Sequence, residues 1–592
     1  MSETAGPLRT SVLAHPTRLG SAAFAFKRFA FQIRRSLIDR AAALPRLNSE
    51  MLSERASVAE ARSPLWSDPR PEERRAQLGK VQNLRVAACA LDGTIIEAGS
   101  VFSFWKQLGP PTKRRGFAPG RMLQQGCMML STGGGLCQLS NAIYDVALRA
   151  QCEILERHAH SRKVAYSAAA RGRDATVAWN YVDLRFRPRE GLVLRVHLTT
   201  DELVVRLERT APTQAGTSGV AFERATDLSP TCGTCGRAEC HRSETNIAIA
   251  HERTAYLVDE AWPEFTAHVA RAAQPRDVLA IPLDGRRWHL RRYRWDSSGF
   301  GTHIDAPLAA LWRSVAVRRA GRRNARVQPV QLQTAEVLAK QLARVLTPEV
   351  TRLVVAQSFL PFLWRDGHLG GRHFEVLMTR PPIEILEREL DDAARRFPER
   401  ATLRDFRAPL DITHWEREAL AAADFVVTPH AQIAAMFEGR AILLSWIEPA
   451  RRTQSRMPGP LRIGFPGPTV ARKGAFEVRD AARMIGAEIV VFGEELEGAG
   501  FWRGVRVARP DPADPFAGVD VVVQPSLVEN APRRLLEALA RGIPVVATPA
   551  CGLAPREGLA LIPHGDVAAL CTAIRCAAGS VQSGSAPHSD GL

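Results

Sequence analysis

Three stretches of this 592-residue chain carry residue types whose spacing suits chemistry. In the C-terminal third, Gly467 to Gly474 forms a glycine-containing loop holding Arg472 and Lys473. Further on, Ser526-Leu-Val-Glu529-Asn530-Ala531-Pro532 leads into a helical run that stops at Gly542. Pro532 suits a helix's first turn and Gly542 its C-terminal cap. A loop of small residues feeding a helix N-terminus offers free N–H groups and a positive dipole end to an anion such as a diphosphate. The second stretch is Gly133-Gly-Gly-Leu-Cys137, a glycine turn that delivers a thiol to the start of a helical segment, Gln138 to Ala150, where a helix N-terminus lowers a thiol's pKa. His158 or His160 can serve as base and Asp174 or Asp183 can orient it, giving a Cys-His-Asp nucleophilic site. The rival reading is a small cysteine packed in a tight turn, with both histidines bonded to backbone. The third is Cys232-Gly-Thr-Cys235-Gly-Arg-Ala-Glu-Cys240-His241. Three thiolates with His241 or a distant fourth ligand suit zinc, and an iron–sulfur cluster or a redox pair is the alternative. The absence of a second Cys-x-x-Cys leaves a metal-free segment equally open, and a structural role is favoured over a catalytic one.

Such residues need a scaffold. In the C-terminal third, short apolar runs at Leu461–Phe465, Ala487–Phe492, Val519–Val523 and Ile543–Ala547 read as buried strands separated by helices, the rhythm of a parallel sheet. The same rhythm begins near residue 253, with Thr254–Val258, Val278–Ile281, Leu353–Ala356, Phe374–Met378 and Phe425–Thr428. His368, His373, His414 and His430 are candidates there to touch substrates, although each suits a structural role better. Earlier, Thr176–Trp179, Val182–Phe186, Leu192–Leu198 and Leu203–Leu207 read as strands. The expected organisation is a basic arm over 1–63, a compact α+β domain over 64–210, and a linker with the cysteine cluster over 211–252. Two α/β domains follow over 253–450 and 451–578, with a tail over 579–592.

Composition narrows the partners. The chain holds 79 Lys+Arg against 62 Asp+Glu, a formal charge of +17, which attracts anionic surfaces and phosphorylated substrates. No recognition helix, zinc finger or RNA-binding motif accompanies the charge, so specific nucleic-acid readout is not expected. The run Phe24, Phe26, Phe29, Phe31, Ile33 with Lys27, Arg28, Arg34 and Arg35 between suits either a basic amphipathic helix on a membrane surface or a helix packed on the next domain. No signal peptide, membrane-spanning run or disulfide framework is evident. A cytoplasmic protein, peripheral on the inner face of the plasma membrane if anything, is the expectation.

Glu529 and Glu537, separated by seven residues, and the run Glu537-Ala-Leu-Ala-Arg-Gly-Ile-Pro-Val-Val-Ala-Thr548 before Cys551-Gly552 resemble the donor-binding half of GT-B glycosyltransferases of family 4, the group 1 transferases. That resemblance implies a pair of Rossmann-like domains over 253–578 and transfer of a hexose from a nucleotide sugar with retention. The acceptor would be an envelope glycan, a polysaccharide or a lipid-linked glycan, and transfer would need no cofactor. It implies that Glu529 contacts the donor sugar and Glu537 the nucleotide ribose. Arg472 and Lys473 would neutralise the diphosphate electrostatically, with Gly467, Ser526, Asn530 and Ala531 shaping the donor loops. One position departs: Pro468 stands where the family often has an arginine, so Arg472 must substitute or the phosphate clamp is weaker.

A second resemblance covers Leu65 to Leu207. Pro64-Leu-Trp66, Gly99-Ser-Val-Phe-Ser-Phe-Trp105, Gly133-Gly-Gly-Leu-Cys-Gln-Leu-Ser-Asn141, Glu156-Arg-His158-Ala-His160-Ser161 and Asp174-Ala-Thr176 with Tyr181-Val-Asp183-Leu-Arg-Phe186 are similar to the VanW family. It implies an envelope association and leaves open a Cys-His hydrolase or transpeptidase-type activity, or a non-catalytic role binding membrane or polyanion. The cysteine cluster has its own test. Metal analysis of the purified chain decides between the readings: stoichiometric zinc or iron that Cys235→Ser loses would establish the site, and a metal-free wild type would remove it.

Overall fold

The computed structural model describes residues 17–42, 44–49, 55–124, 127–160, 172–210, 218–221, 240, 251–322, 327–451 and 460–583. The chain divides into two compact units. The first comprises residues up to Thr254 with Leu346–Arg352 and Arg365–His373; the second holds the remainder.

The first unit opens with helix α1 (Arg18–Ala41), capped by Thr17, whose side-chain oxygen accepts the Gly20 N–H. Then come β1 (Ser57–Pro64), α2 (Arg74–Leu91), β2 (Thr94–Ile96), β3 (Phe102–Ser103), α3 (Phe104–Leu108), β4 (Pro119–Gln124), β5 (Cys127–Thr132), α4 (Cys137–Arg149), β6 (Glu153–Glu156), β7 (Arg185–Arg187), β8 (Leu192–Leu198), β9 (Glu202–Arg209) and β10 (Ser218–Ala221). Strands β1, β9, β8 and β2 pair antiparallel, and β10 adds a parallel edge to β1. That edge lies within the stretch expected to be linker: its short Gly-Val-Ala run completes a ladder that only the tertiary fold supplies. Helix α4 buries Leu139, Ile143, Val146 and Ala147, one face at helical spacing, into the core formed with Val81, Leu84, Leu194 and Val205. No strand forms over Thr176–Trp179, where only an Ala178–Val182 bridge is made.

The turn before Cys137 is held by close backbone packing. A Cβ on Gly134 would lie 2.1 Å from the Gly120 carbonyl oxygen, and one on Gly79 1.8 Å from that of Pro119. Only hydrogen fits at such approaches. Buried Asn83 secures the contact, donating to the carbonyls of Ala118 (3.0 Å) and Gly134 (2.8 Å) and accepting from the Ala118 N–H (2.8 Å).

The second unit contains two sheets. The first is built from β11 (Arg253–Leu257), α5 (Pro263–Ala272), β12 (Val278–Ile281), β13 (Thr302–Asp305), α6 (Pro307–Arg322), α7 (Val327–Leu342), β14 (Val350–Ala356), α8 (Leu360–Arg365), β15 (His373–Leu377), α9 (Ile383–Arg396), α10 (Leu410–Ala422), β16 (Phe425–Thr428), α11 (Ala431–Met436) and β17 (Ala441–Leu443). Its strand order is β13-β12-β11-β14-β15-β16-β17. The second is built from β18 (Arg462–Phe465), α12 (Ala475–Ile485), β19 (Glu488–Val491), β20 (Arg506–Ala508), β21 (Val521–Gln524), α13 (Arg533–Ala540), β22 (Val545–Ala547), β23 (Leu559–Leu561) and α14 (Val567–Ser583). All five of its pairings are parallel, in the order β20-β19-β18-β21-β22-β23. Counted from the first strand of each, both orders begin 3-2-1-4-5-6, the doubly wound Rossmann arrangement. Both faces of the second sheet are buried, as the continuous apolar runs demand. Ile489, Val491, Val521 and Val523 face α12 and α14, whereas Val490, Val522 and Val545 face α13. The expected pair of Rossmann-like domains preceded by an α+β domain therefore holds.

Candidate active site

In a doubly wound sheet, ligands sit where the strand order reverses, because the loops after the two central strands diverge and leave a crevice. Here that point lies between β18 and β21. The loop after β18 carries Gly467, Arg472 and Lys473; the loop after β21 carries Ser526, Glu529, Asn530 and Ala531. Gly474, at φ 80°, brings them together: a Cβ there would stand 2.5 Å from the Pro525 carbonyl oxygen. Backbone locks the approach, since the Leu527 N–H donates to the Arg472 carbonyl at 2.9 Å. Gly467 is packed likewise, its carbonyl filling the space a Cβ on Gly493 would need.

The central contact joins Lys473 Nζ to Glu529 Oε2 at 2.9 Å, and Nζ also donates to the Val528 carbonyl at 2.8 Å. The other carboxylate oxygen of Glu529 accepts the Ala531 N–H at 3.1 Å, while the Gln524 amide donates to Oε2. Glu529 is thus fixed in one orientation, with its charge balanced by a single ammonium. Arg472 faces elsewhere. It is half-buried, burial pushes its pKa down against the pull of the Asp405 and Glu497 carboxylates, and among the described residues no hydrogen bond or ion pair holds its guanidinium. Asn530 Oδ1 is buried without a hydrogen-bond partner among the described residues. Glu537 lies on the outer face of α13, paired with Arg534 (3.0 Å) and Arg541 (3.1 Å).

Of the four candidate histidines, only His430 reaches these loops. Its Nδ1 accepts the Ile433 N–H at 3.3 Å, so the proton sits on Nε2, which faces the carbonyls of Glu529 (3.1 Å) and Ala550 (3.2 Å). Burial pushes its pKa down, which keeps the ring neutral and donating. Gly552, at φ 72°, leaves room for the ring, since a Cβ would lie 2.3 Å from Cδ2. His368 is half-buried and pushed down to about 4, chiefly by desolvation. His414 meets Arg417 on α10, and His373 begins β15.

A second anchor was not legible in the sequence. Glu264, fully buried in the first turn of α5, takes both guanidinium nitrogens of Arg533 (2.7 and 2.6 Å) and the Ile447 N–H (2.7 Å). The Arg533 guanidinium lies over the Trp262 and Trp446 rings. Glu264 is some 270 residues from Arg533 (|i−j| = 269), a separation no local pattern reports. The pair fixes the helix that follows the Glu529 loop.

In the first unit, Cys137 opens α4 and His160 and Asp174 come to it. Asp174 Oδ1 bonds the imidazole through Nδ1, Asp174 Oδ2 accepts the His160 N–H at 2.6 Å, and the imidazole acts electrostatically on the thiol. Burial alone would raise the thiol's pKa, yet His160 holds it below the ordinary value; the thiol and Asp174 together push His160 up to about 9 despite desolvation. His158 and Asp183 lie elsewhere. His158 is half-exposed against Glu156 at 3.2 Å. Asp183 is buried, accepting from Ser103 Oγ (2.6 Å), the Trp105 N–H (3.1 Å) and Arg185 Nε (2.8 Å), with burial raising its pKa. Of the proposed metal ligands, Cys232, Cys235 and His241 lie outside the described residues; Cys240 is a free, half-buried thiol.

Comparison with known proteins follows these two sites. Residues 79–208 match the family described as VanW like protein, and residues 477–579 match the glycosyl transferases group 1. The chain thus joins a segment similar to the VanW family to one similar to the group 1 transferases. The vancomycin B-type resistance protein VanW of Enterococcus faecalis is 32% identical over 129 residues, 21% of this chain and 47% of that one. The uncharacterized protein YoaR of Bacillus subtilis is 33% identical over 105 residues, 18% and 34% respectively. The chain therefore spans between a third and a half of the curated relatives it matches. Among solved structures, the lipopolysaccharide outer core galactosyltransferase WaaB superposes with a TM-score of 0.32 at 12% identity, covering 56% of this chain and 91% of that one. Anabaena HepE in complex with UDP-glucose gives 0.32 at 14%, with the same coverage. The fold assignment rests on the strand order and pairing described above.

The Glu264–Arg533 anchor gives a prediction with a definite sign. Burial would raise the Glu264 pKa, but Arg533 and the Ile447 N–H hold it below the usual carboxylate value. Its contribution is therefore present above the ordinary carboxylate pKa and lost as pH falls through the lowered value. Glu264→Gln should cost about 1–3 kcal/mol at neutral pH, discounted because Arg533 keeps partial exposure. Melting temperatures measured against pH should converge with wild type in acid, and a pH-independent gap would contradict the ionic account.

Proposed function

We propose that the second unit transfers a sugar, a hexose in the simplest case, from a nucleotide-sugar donor to an envelope glycan, polysaccharide or lipid-linked acceptor, with retention. The observation that carries this reading is the Lys473–Glu529 pair at the reversal of the strand order, with Glu529 inside, and Lys473 just before, the segment 477–579 that matches the group 1 transferases. Lys473 would meet the donor diphosphate and neutralise the charge that develops as it leaves. Glu529, released from the lysine, would take the sugar hydroxyls, a role suited to an acceptor-only group. Arg472 is a second cation without a partner among the described residues, and Asn530 Oδ1 an acceptor without a donor; both suit a polar ligand. Glu537 would turn from its arginines to the ribose. None of these roles requires a metal.

Thermal shift across UDP-, GDP-, ADP- and TDP-sugars tests the reading. One or two nucleotides should raise the melting temperature, and Glu529→Gln should lower transfer by at least about a hundredfold. No shift with any of them would remove the function while leaving the fold.

The acceptor class draws support from α1. Its polar side is the docked side: Arg35 pairs with Glu156, Gln32 donates to the Trp179 carbonyl (2.9 Å), Asn180 donates to Ser36 (2.7 Å) and Arg185 pairs with Asp39 (2.7 Å). Leu19, Phe26, Ile33 and Leu37, a single line at helical spacing, are exposed, Leu19 by 85% and Phe26 by 76%. Lys27 and Arg34 flank that line. An apolar stripe bordered by cations is complementary to an anionic lipid surface, and we assign it that occupant. No helix among the described residues is long and apolar enough to cross a membrane. The full chain should sediment with phosphatidylglycerol vesicles, much less with phosphatidylcholine, and Phe26→Ser/Ile33→Ser should lose binding. Equal binding by the double variant would overturn the assignment.

A further inference from the structure

We infer that Cys137, His160 and Asp174 form a second active site, a thiol-dependent acyl-transfer centre that cleaves or exchanges a carboxylic amide or ester. The glycosyl-transfer reading does not use these groups, and the inference does not rest on it.

The geometry separates this arrangement from the other uses of a buried cysteine. A metal site would have its donors converging on one point, and among the described residues no three such side chains do so. His160 instead is oriented by Asp174 through Nδ1 and acts electrostatically on the thiol. A redox pair would need a second sulfur, whereas the remaining contacts of Cys137 Sγ are Thr176 Oγ1 (3.5 Å) and the Val177 carbonyl (3.8 Å). A thiol packed only for its volume would not carry an imidazole oriented by a buried carboxylate. Asp174 is 1% exposed and doubly engaged by His160, through ring and backbone. The residues around it are tied down as well: Arg157 Nε donates to the Asp174 carbonyl (2.6 Å), the Ala175 N–H to Asn141 (2.7 Å), and Ser140 Oγ to the Ala175 carbonyl (2.5 Å). The last two bonds connect the Asp174–Ala175 segment directly to α4, the helix that Cys137 begins.

The electrostatics agree. A thiol held below its ordinary pKa beside an imidazole pushed up to about 9 favours the thiolate–imidazolium form, the activated form of a cysteine nucleophile.

The reaction balances with these groups alone. The thiolate adds to the acyl carbon and its electron pair moves onto the carbonyl oxygen. Collapse breaks the bond to the leaving amine or alcohol, which takes the proton of the His160 imidazolium. The resulting thioester is attacked by water or an acceptor amine, whose proton returns to His160 as the carbon–sulfur bond breaks. Thiolate and imidazolium are restored, and the products are a carboxylic acid or a new amide.

The test uses the full chain and 4-nitrophenyl acetate. Nitrophenol should be released in a burst, and peptide mapping should find one acetyl group on Cys137. Cys137→Ser should lose both signals, whereas Cys576→Ser, at an exposed thiol in α14, should keep them. His160→Gln should slow acetylation at pH 7 by about tenfold or more, as thiolate becomes thiol. If that variant melts well below wild type, the pH profile of the native protein decides. A rate already at its plateau near neutrality supports the inference; one that climbs through the ordinary thiol pKa overturns it. Acetylation on other cysteines, or on Cys137 but indifferent to a well-folded His160→Gln, overturns it as well.

Discussion

A doubly wound parallel sheet must reverse its strand order once, and the crevice this opens governs the second unit. The loops after β18 and β21 leave the sheet side by side, close enough that Gly474 and Pro525 tolerate no extra atom between them. Lys473 and Glu529 meet because of that approach, and Gln524, Val528 and Ala531 complete their hydrogen bonding. A charged pair this enclosed is stable only when its remaining polar atoms are served. On the proposed reading, a ligand that offers a diphosphate to the lysine and hydroxyls to the carboxylate would replace the pair with two better-matched partners. The same sheet geometry explains why His430 and Glu264, from the first sheet's elements, end beside the Glu529 loop and its helix.

The first unit solves a different problem by related means. Its reactive thiol sits where a glycine turn is pressed against a hairpin, with Gly79, Gly120 and Gly134 removing the side chains that would hold the elements apart. Asn83 satisfies the carbonyls exposed by that approach. Cys137 is thereby placed at the first residue of α4 and presented to His160. Both sites follow one design: backbone proximity sets the loop, and a buried polar side chain makes the proximity affordable in hydrogen-bond terms.

The sequence by itself determined the four inner strands of the second unit's final sheet closely, though not its edge strands β20 and β23. The expected strands at Leu461–Phe465 and Val519–Val523 appear as Arg462–Phe465 and Val521–Gln524, because fully buried parallel strands are unbroken apolar runs with glycine and proline at their ends. It also determined the proximity of Glu529 to a helix start, and the Cys137 turn, since glycine spacing and helical periodicity are local signals. Tertiary structure alone decided the rest. Which histidine and which aspartate face Cys137 depends on strand-to-helix distances that sequence neighbours His158 and His160 do not encode. The separation of Arg472 from Lys473 depends on which loop each side chain meets. The Glu264–Arg533 anchor and the β10 edge strand depend on contacts between distant segments, and local patterns carry no information about such pairs. The amphipathic character of α1 was legible in its residues. That its polar side is the docked one was not, because a helix's orientation is set by the ion pairs its neighbours offer.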